Sequence, residues 1–253
     1  MFEHFRIERH GDVAIVHIER PPANAIDLGL VREAPPLLEE LAASEPGAVV
    51  LTGQGRFFSA GVDLKAVPSL DRDEQRQMVE GINRLIAGWY GFPRPVVCAV
   101  NGHAIAGGLI LALTGDYRVC ATDGKFGLTE LRVGIPYPAV AMLVVRSELT
   151  PATARRLVLR ADLVGHQKAL ELGLVDELVP HERVLERALE VATELLALPA
   201  SGYAVIKRQL RGPTLEAAER AIADGDDPLL AAWLIDETAE AAAGVLGDEQ
   251  GRS

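Results

Sequence analysis

Residues 95–130 read PVVCAVNGHAIAGGLILALTGDYRVCATDGKFGLTE, and the succession of element types within this stretch decides the fold. Val96–Val100 is a short unbroken apolar run between Pro95 and Asn101-Gly102, too short for a helix, and reads as a strand buried on both faces. His103 to Ala106 lead into Gly107-Gly108, and the run Leu109 to Leu113, closed by Gly115, predicts a buried helix with glycine at both ends. The first amides of such a helix have no intrahelical partner and lie at the positive end of the aligned peptide dipoles, so an oxyanion can bind there. Glycine at 107 and 108 admits a ligand close to the backbone; the pair equally suits tight packing of helix on strand.

Upstream, Phe5 to Arg9 and Val13 to Ile18 flank His10-Gly11-Asp12, a hairpin signal. Arg20-Pro21-Pro22-Ala23-Asn24-Ala25 breaks into a loop, and helical spacing returns from Leu28 to Ala43 with Asp27 as N-cap and Pro35-Pro36 making the middle irregular. Ala48 to Thr52 is a second buried strand, followed directly by the glycine-rich residues 53–65, GQGRFFSAGVDLK. Strand ends of this kind are where α/β folds place ligands. The loop has neither GK[ST] nor GxGxxG, so it is not a nucleotide-phosphate loop. Arg72 to Trp89 reads as a long amphipathic helix. Downstream of Thr150-Pro151 the pattern is helical at Ala152 to Leu159, Gln167 to Leu172, Glu182 to Leu198 and Gly202 to Leu210. Strands therefore cluster before about position 130 and helices dominate after it, which suggests an α/β core with a C-terminal helical region.

The chain of 253 residues is 49% hydrophobic and 24% charged, enough for one large domain with a substantial core. No apolar run reaches the roughly 18–20 residues of a membrane span, and the N-terminus lacks a basic segment followed by an apolar one; a cytoplasmic protein is expected. A net charge of −11 disfavours nucleic acid and anionic membrane as partners, while a local basic patch could still hold an anionic small molecule. Cys98 and Cys120 have neither CxxC spacing nor histidine neighbours and read as packed thiols. His103 and His166 have no carboxylate or serine partner at a telling spacing and read as structural or surface residues, and no metal-ligand pattern is visible.

Five segments in order, RPPANAI at 20–26, FFSAGVDLK at 57–65, NGHAIAGG at 101–108, FGLTELRVGIP at 126–136 and HQKALELGLVDELVP at 166–180, resemble the signature pieces of the crotonase (enoyl-CoA hydratase/isomerase) superfamily. The resemblance covers most of the chain. It implies a ββα spiral core over residues 1–197 and a C-terminal helical trimerisation region over 198–253, assembled as a homotrimer or hexamer. It also implies acyl-CoA thioester substrates, with coenzyme A as part of the substrate and no permanently bound cofactor. The oxyanion-hole amides fall on Val62 and Gly107, and the catalytic glutamate on Glu130. CoA is expected along Pro22, Ala23, Ala60, Asp63, Leu64 and Lys65, with Lys207 and Arg208 as further phosphate contacts.

The hydratases of this family carry a second glutamate three residues after the oxyanion-hole glycine, about one helical turn along and facing the same site. That position is Ile110. Adding water needs a water held between two groups, whereas moving a double bond needs one carboxylate, so Δ3,Δ2-enoyl-CoA isomerisation in fatty-acid β-oxidation is expected. The dienoyl-CoA isomerases carry acids at the positions of Ile110 and Pro138 and are disfavoured. Hydratase, thioester hydrolase or decarboxylase, and a non-catalytic acyl-CoA-binding protein are the alternatives. Val67, Leu70, Met78, Trp89, Tyr137 and Pro138 are candidates for the acyl-chain walls and Tyr137 for substrate contact. Desolvation between Leu128 and Leu131 should raise the Glu130 pKa.

Overall fold

The computed structural model describes residues 2–233. Strands β1 (Phe5–His10) and β2 (Val13–Ile18) form the expected antiparallel hairpin, with His10 opposite Val13 across Gly11-Asp12 and Gly11 at φ 58°. Helix α1 (Leu28–Ala43) is capped by the Asp27 carboxylate, which accepts from Leu30 N at 2.9 Å. It stays one continuous helix through Pro35 and Pro36, contrary to the expected irregularity: Leu30, Val31, Ala34, Leu37 and Leu41 are all buried on its inner face, and that burial outweighs the hydrogen bonds the prolines remove.

From β3 (Ala48–Gly53) onward the chain repeats one manoeuvre. β3 continues into β4 (Phe57–Ser59), and α2 (Arg72–Tyr90) returns to β5 (Val96–Val100); β5 continues into β6 (His103–Ile105), and α3 (Gly107–Leu113) returns to β7 (Tyr117–Ala121), which continues into β8 (Lys125–Gly127). Each turn thus gives one strand to each of two sheets. α4 (Ala139–Glu148), α5 (Pro151–Arg160), β9 (Val164–Gly165), α6 (His166–Glu171), β10 (Glu177–Val179), α7 (Val184–Leu196), α8 (Ala200–Asp224) and α9 (Pro228–Trp233) follow. The larger sheet has the order β1-β2-β3-β5-β7-β10 and is parallel apart from the hairpin; the smaller has the order β4-β6-β8-β9 and is antiparallel only at β8/β9. Helices dominate after 130 as expected, and the sequence pattern does not reveal the short β9 and β10 among them: these segments carry too few residues to show a period, and pairing with β8 and β7 makes them strands.

The valine-rich runs follow from burial of both faces of the larger sheet. Val49, Leu51, Val96, Cys98 and Val100 face the main core under α1 to α4, while Ala48, Val50, Val97 and Ala99 face α7 through Val184, Ala188, Val191 and Ala192. Cys98 and Cys120 are free and buried, and burial pushes both thiols up to about 12, so they are packing groups.

α8 runs past the expected Leu210 and through Pro213 to Asp224, because its inner face is locked to this chain's own core by charge. Lys207 Nζ donates to Asp116 Oδ2 at 2.7 Å and to the Arg94 carbonyl at 3.2 Å; Arg211 lies 3.1 Å from Asp116 Oδ1, donates to the carbonyls of Tyr90, Thr114 and Gly115, and covers the Tyr90 ring at 4.1 Å. Lys207 is therefore unavailable to a CoA phosphate, which corrects that expectation; Arg208 points outward and is exposed. Among the described residues no single helix is long and apolar enough to cross a membrane.

Asp116 is the anion on which both buried cations depend. Asp116→Ala leaves Lys207 without its anion and Arg211 with Glu148 at 3.6 Å, and we expect a loss of about 3–5 kcal/mol, read as a fall in the urea midpoint with unchanged slope; a loss below about 1 kcal/mol would show that the network is not what holds α8.

Candidate active site

The two loops that leave the paired strands meet at one point. Gly61 has φ 82°, and a β-carbon there would stand 2.8 Å from the Gly107 nitrogen. Only glycine satisfies both conditions. Facing it, Ala106 adopts φ 52° and ψ −128°, a strained conformation for an L-residue that over-determined surroundings must impose; its N–H donates to the Gly127 carbonyl at 2.8 Å. The next amide, Gly107 N–H, opens α3 and so has no intrahelical acceptor. At Gly108 a β-carbon would lie 2.0 Å from the Ser59 carbonyl, so this second glycine serves the packing of α3 on β4.

The Val62 amide is set by a bridge to the preceding loop. Ile26 N donates to the Gly61 carbonyl at 2.7 Å and Asp63 N to the Ile26 carbonyl at 2.8 Å, which pins the residues on both sides of Val62 and leaves its own N–H outside the ladder. Arg20 secures the pair from behind, donating Nε to Asp27 Oδ2 and Nη2 to Asp63 Oδ2, each at 2.6 Å. Asn24, fully buried, ties the same loop to the Gln54 and Phe57 carbonyls at 3.0 and 2.8 Å. Among the described residues neither Val62 N–H nor Gly107 N–H has an acceptor. Two donors held unpaired at one place are what a developing oxyanion requires.

They open onto a cavity of about 240 Å³ lined by Ala60, Val62, Leu64, Gly107, Ile110 and Glu130, with Ile82, Ile86, Ile105, Thr129, Arg132, Val133, Ile135, Pro136, Pro138, Ala141 and Leu163 completing its walls and Leu229 and Trp233 of α9 its roof. The roof is fixed by Asp227, whose Oδ2 accepts from Asn83 Nδ2 at 2.8 Å and Ala139 N at 2.9 Å, and whose Oδ1 accepts from Leu229 N at 2.8 Å. The sequence did not mark Leu229 or Trp233 as wall residues. Of the suggested wall residues only Pro138 lines the cavity. Met78 and Trp89 are packed in the core at 1% and 0% exposure, Val67 and Leu70 lie against it, and Tyr137 is buried outside the lining. Pro22, Ala23, Asp63 and Lys65 are also outside the lining; Ala23 accepts from Ala60 N at 3.0 Å, the Asp63 carboxylate is taken by Arg20, and the Lys65 side chain is exposed. His103 is structural, its Nδ1 accepting from Lys125 N at 3.0 Å and its ring meeting Phe57 edge-on.

Glu130 begins a 3-10 turn, Glu130–Val133, that follows β8. Among the described residues it is the one carboxylate in the cavity wall. Burial pushes its pKa up from 4.5 to about 7, against the pull of its own N–H, the Tyr137 hydroxyl and the Thr129 N–H. A carboxyl poised near neutrality in an apolar wall is suited to take and return a proton.

The enoyl-CoA hydratase/isomerase family model matches residues 8–237 of the sequence. The chain belongs to the enoyl-CoA hydratase/isomerase family. It is 35% identical over 213 residues, 76% of this chain and 83% of the relative, to a Thermus thermophilus protein that bears an enoyl-CoA hydratase name. Among solved structures it is similar to a Mycobacterium tuberculosis protein that bears both an enoyl-CoA isomerase and a probable enoyl-CoA hydratase name, with a TM-score of 0.82, 28% identity and coverage of 88% of this chain and 97% of that one. Human mitochondrial Δ3-Δ2-enoyl-CoA isomerase shares the fold at a TM-score of 0.90 over 99% of this chain and 100% of that one, at 24% identity. The ββα spiral with its C-terminal helices is thus the crotonase fold.

Two consequences of this family member's geometry are measurable. Gly61→Ala drives a methyl group at the Gly107 amide, and we expect kcat to fall about 10²–10³-fold; an unimpaired enzyme would remove the two amides from the chemistry. Separately, the folded protein holds the Glu130 proton more tightly than the unfolded chain does. The resulting cost to stability is absent below pH 4.5, grows as pH rises, and is complete above about pH 7. Glu130→Gln should therefore be more stable than the wild type above pH 7, by on the order of 3 kcal/mol, with the gap closing toward pH 4.5 in urea unfolding series. A gap independent of pH would contradict the burial of this charge.

Proposed function

We propose that this protein is an enoyl-CoA isomerase that moves the double bond of a 3-enoyl-CoA thioester to the 2-position. The observation that carries the reading is the composition of the cavity wall. Among the described residues Glu130 is its one carboxylate, Ile110 is buried one helical turn from Gly107 at 1% exposure, and the polar wall residues Thr129, Arg132 and Trp233 supply no second carboxylate with which a water could be activated. In this reading Glu130 takes the proton from C2, and the electron pair moves to the thioester oxygen, where the Val62 and Gly107 amides stabilise the enolate. The same carboxyl then returns the proton to C4, and the double bond lies between C2 and C3. Atoms balance with no water consumed and no redox step.

The CoA portion is assigned to the loops that carry the amides, along Pro22, Ala23, Ala60, Asp63 and Leu64, with Lys65 free to meet a phosphate. The apolar cavity takes the acyl chain, which fits a role in fatty-acid β-oxidation. The exposed strip Val205, Ile206 and Leu210 on α8, with Leu198 beside it, is assigned to contact between copies in a homotrimer or hexamer. The Mycobacterium tuberculosis protein bears both an isomerase and a hydratase name, and the name of the Thermus thermophilus relative favours hydration as the second reading.

Absorbance of the conjugated thioester separates the two. We expect it to rise when the protein meets a 3-enoyl-CoA and to stay constant with a 2-enoyl-CoA, and Glu130→Gln to reduce the first rate at least about 10²-fold. A falling signal with the 2-enoyl-CoA would establish hydration, and silence with both would remove the enoyl-CoA reading.

A further inference from the structure

Three buried polar atoms at or beside the cavity have no hydrogen-bond partner among the described residues, Glu130 Oε2, Tyr137 OH and Trp233 Nε1. Native interiors rarely leave such groups alone. Glu130 Oε2 is the acceptor, and of the two donors Tyr137 is the one that acts on its titration: the Tyr137 hydroxyl draws the Glu130 pKa down, while burial first and Glu130 second push the Tyr137 pKa far above its usual value. Tyr137 therefore remains a proton donor throughout the neutral range.

The backbone gives this pair little freedom. Gly134, at φ 66°, closes the turn that Glu130 opens, and Ile135 N donates to the Glu130 carbonyl at 3.1 Å. Pro136 and Pro138 fix φ on both sides of Tyr137. Immediately beyond, Ala139 N donates to Asp227 and Val140 N to Asn83 Oδ1 at 3.0 Å. The ring is buried at 9% exposure and is not part of the cavity wall; it reaches the reaction only through Glu130.

We propose that Tyr137 is the positioning residue of the base: its hydroxyl donates to Oε2 of ionised Glu130 and holds the carboxylate with Oε1 turned to the substrate carbon. The bond closes when the carboxylate is charged, because an ionised acceptor strengthens it. Other charged groups do not substitute for it. Arg132, also in the cavity wall, gives Nε to the Ala161 carbonyl at 2.6 Å and stands 4.0 Å from Asp162, and Asp227 is occupied by Asn83, Ala139 and Leu229.

The inference rests on Glu130 being the base, and its test separates it from the choice of reaction. Infrared difference titration reads the Glu130 carboxyl in substrate-free protein as the band that Glu130→Gln abolishes. With Tyr137→Phe the midpoint should rise by about one to two pH units, the size expected when a charged acceptor loses a donor. In turnover of a 3-enoyl-CoA the acidic limb should rise by the same amount, and kcat should fall on the alkaline plateau while KM stays within about twofold. Tyr137→Met is read in the same way if the phenylalanine variant does not fold. A midpoint and a limb that stay at their wild-type values overturn the proposal and leave the isomerase reading standing. A shifted midpoint in a protein that does not turn over a 3-enoyl-CoA leaves Tyr137 as the partner of Glu130 and removes that reaction instead.

Discussion

The close approach of two backbone segments, Gly61-Val62 and Ala106-Gly107, is the constraint from which the rest of the structure follows. It presents two amide donors without acceptors, and each such group costs on the order of 1–3 kcal/mol if it is also kept from water. A chain left to itself would close that gap with a turn or a strand pair. Here the opposite is enforced by a positive-φ glycine, a strained alanine, the Ile26 bridge and the doubly engaged Arg20. These local costs are offset by a sheet buried on both faces and by helices fastened to it.

Around that point polarity is distributed with economy. Among the described residues one carboxyl faces the cavity, and burial rather than a neighbouring charge moves it toward neutrality, so the apolar wall itself sets the proton affinity of this group. The wall includes residues from α2, α3, α4 and α9, and the last of these is held by Asp227 on Asn83 and Ala139.

Much of this was legible in the sequence where a local pattern had one physical cause. Val96–Val100 reads as a buried strand because both its faces are covered, and Asp27 reads as a cap because its carboxylate meets an amide three residues on. The amide pair and Glu130 came from the order of five segments resembling a known family, and the structure sets Val62, Gly107 and Glu130 around one cavity. What stayed hidden depends on contacts between distant residues. β10 becomes a strand by pairing with β7, Lys207 becomes a structural cation by meeting Asp116, and Leu229 and Trp233 become cavity roof because Asp227 reaches Asn83. Tyr137 reads as a wall residue from composition, and its place beside Glu130 depends on how two prolines and Gly134 route the chain.

The central claim is that Glu130 removes a proton from the carbon next to a thioester while Val62 and Gly107 hold the enolate. Its most direct measurement is solvent exchange at C2 of a saturated acyl-CoA in deuterium oxide, followed by proton NMR, because that step needs no double bond and no water addition. The account predicts enzyme-dependent loss of the C2 proton signals that disappears in Glu130→Gln. Retention of those signals with native enzyme, or exchange that persists without the Glu130 carboxylate, would contradict it.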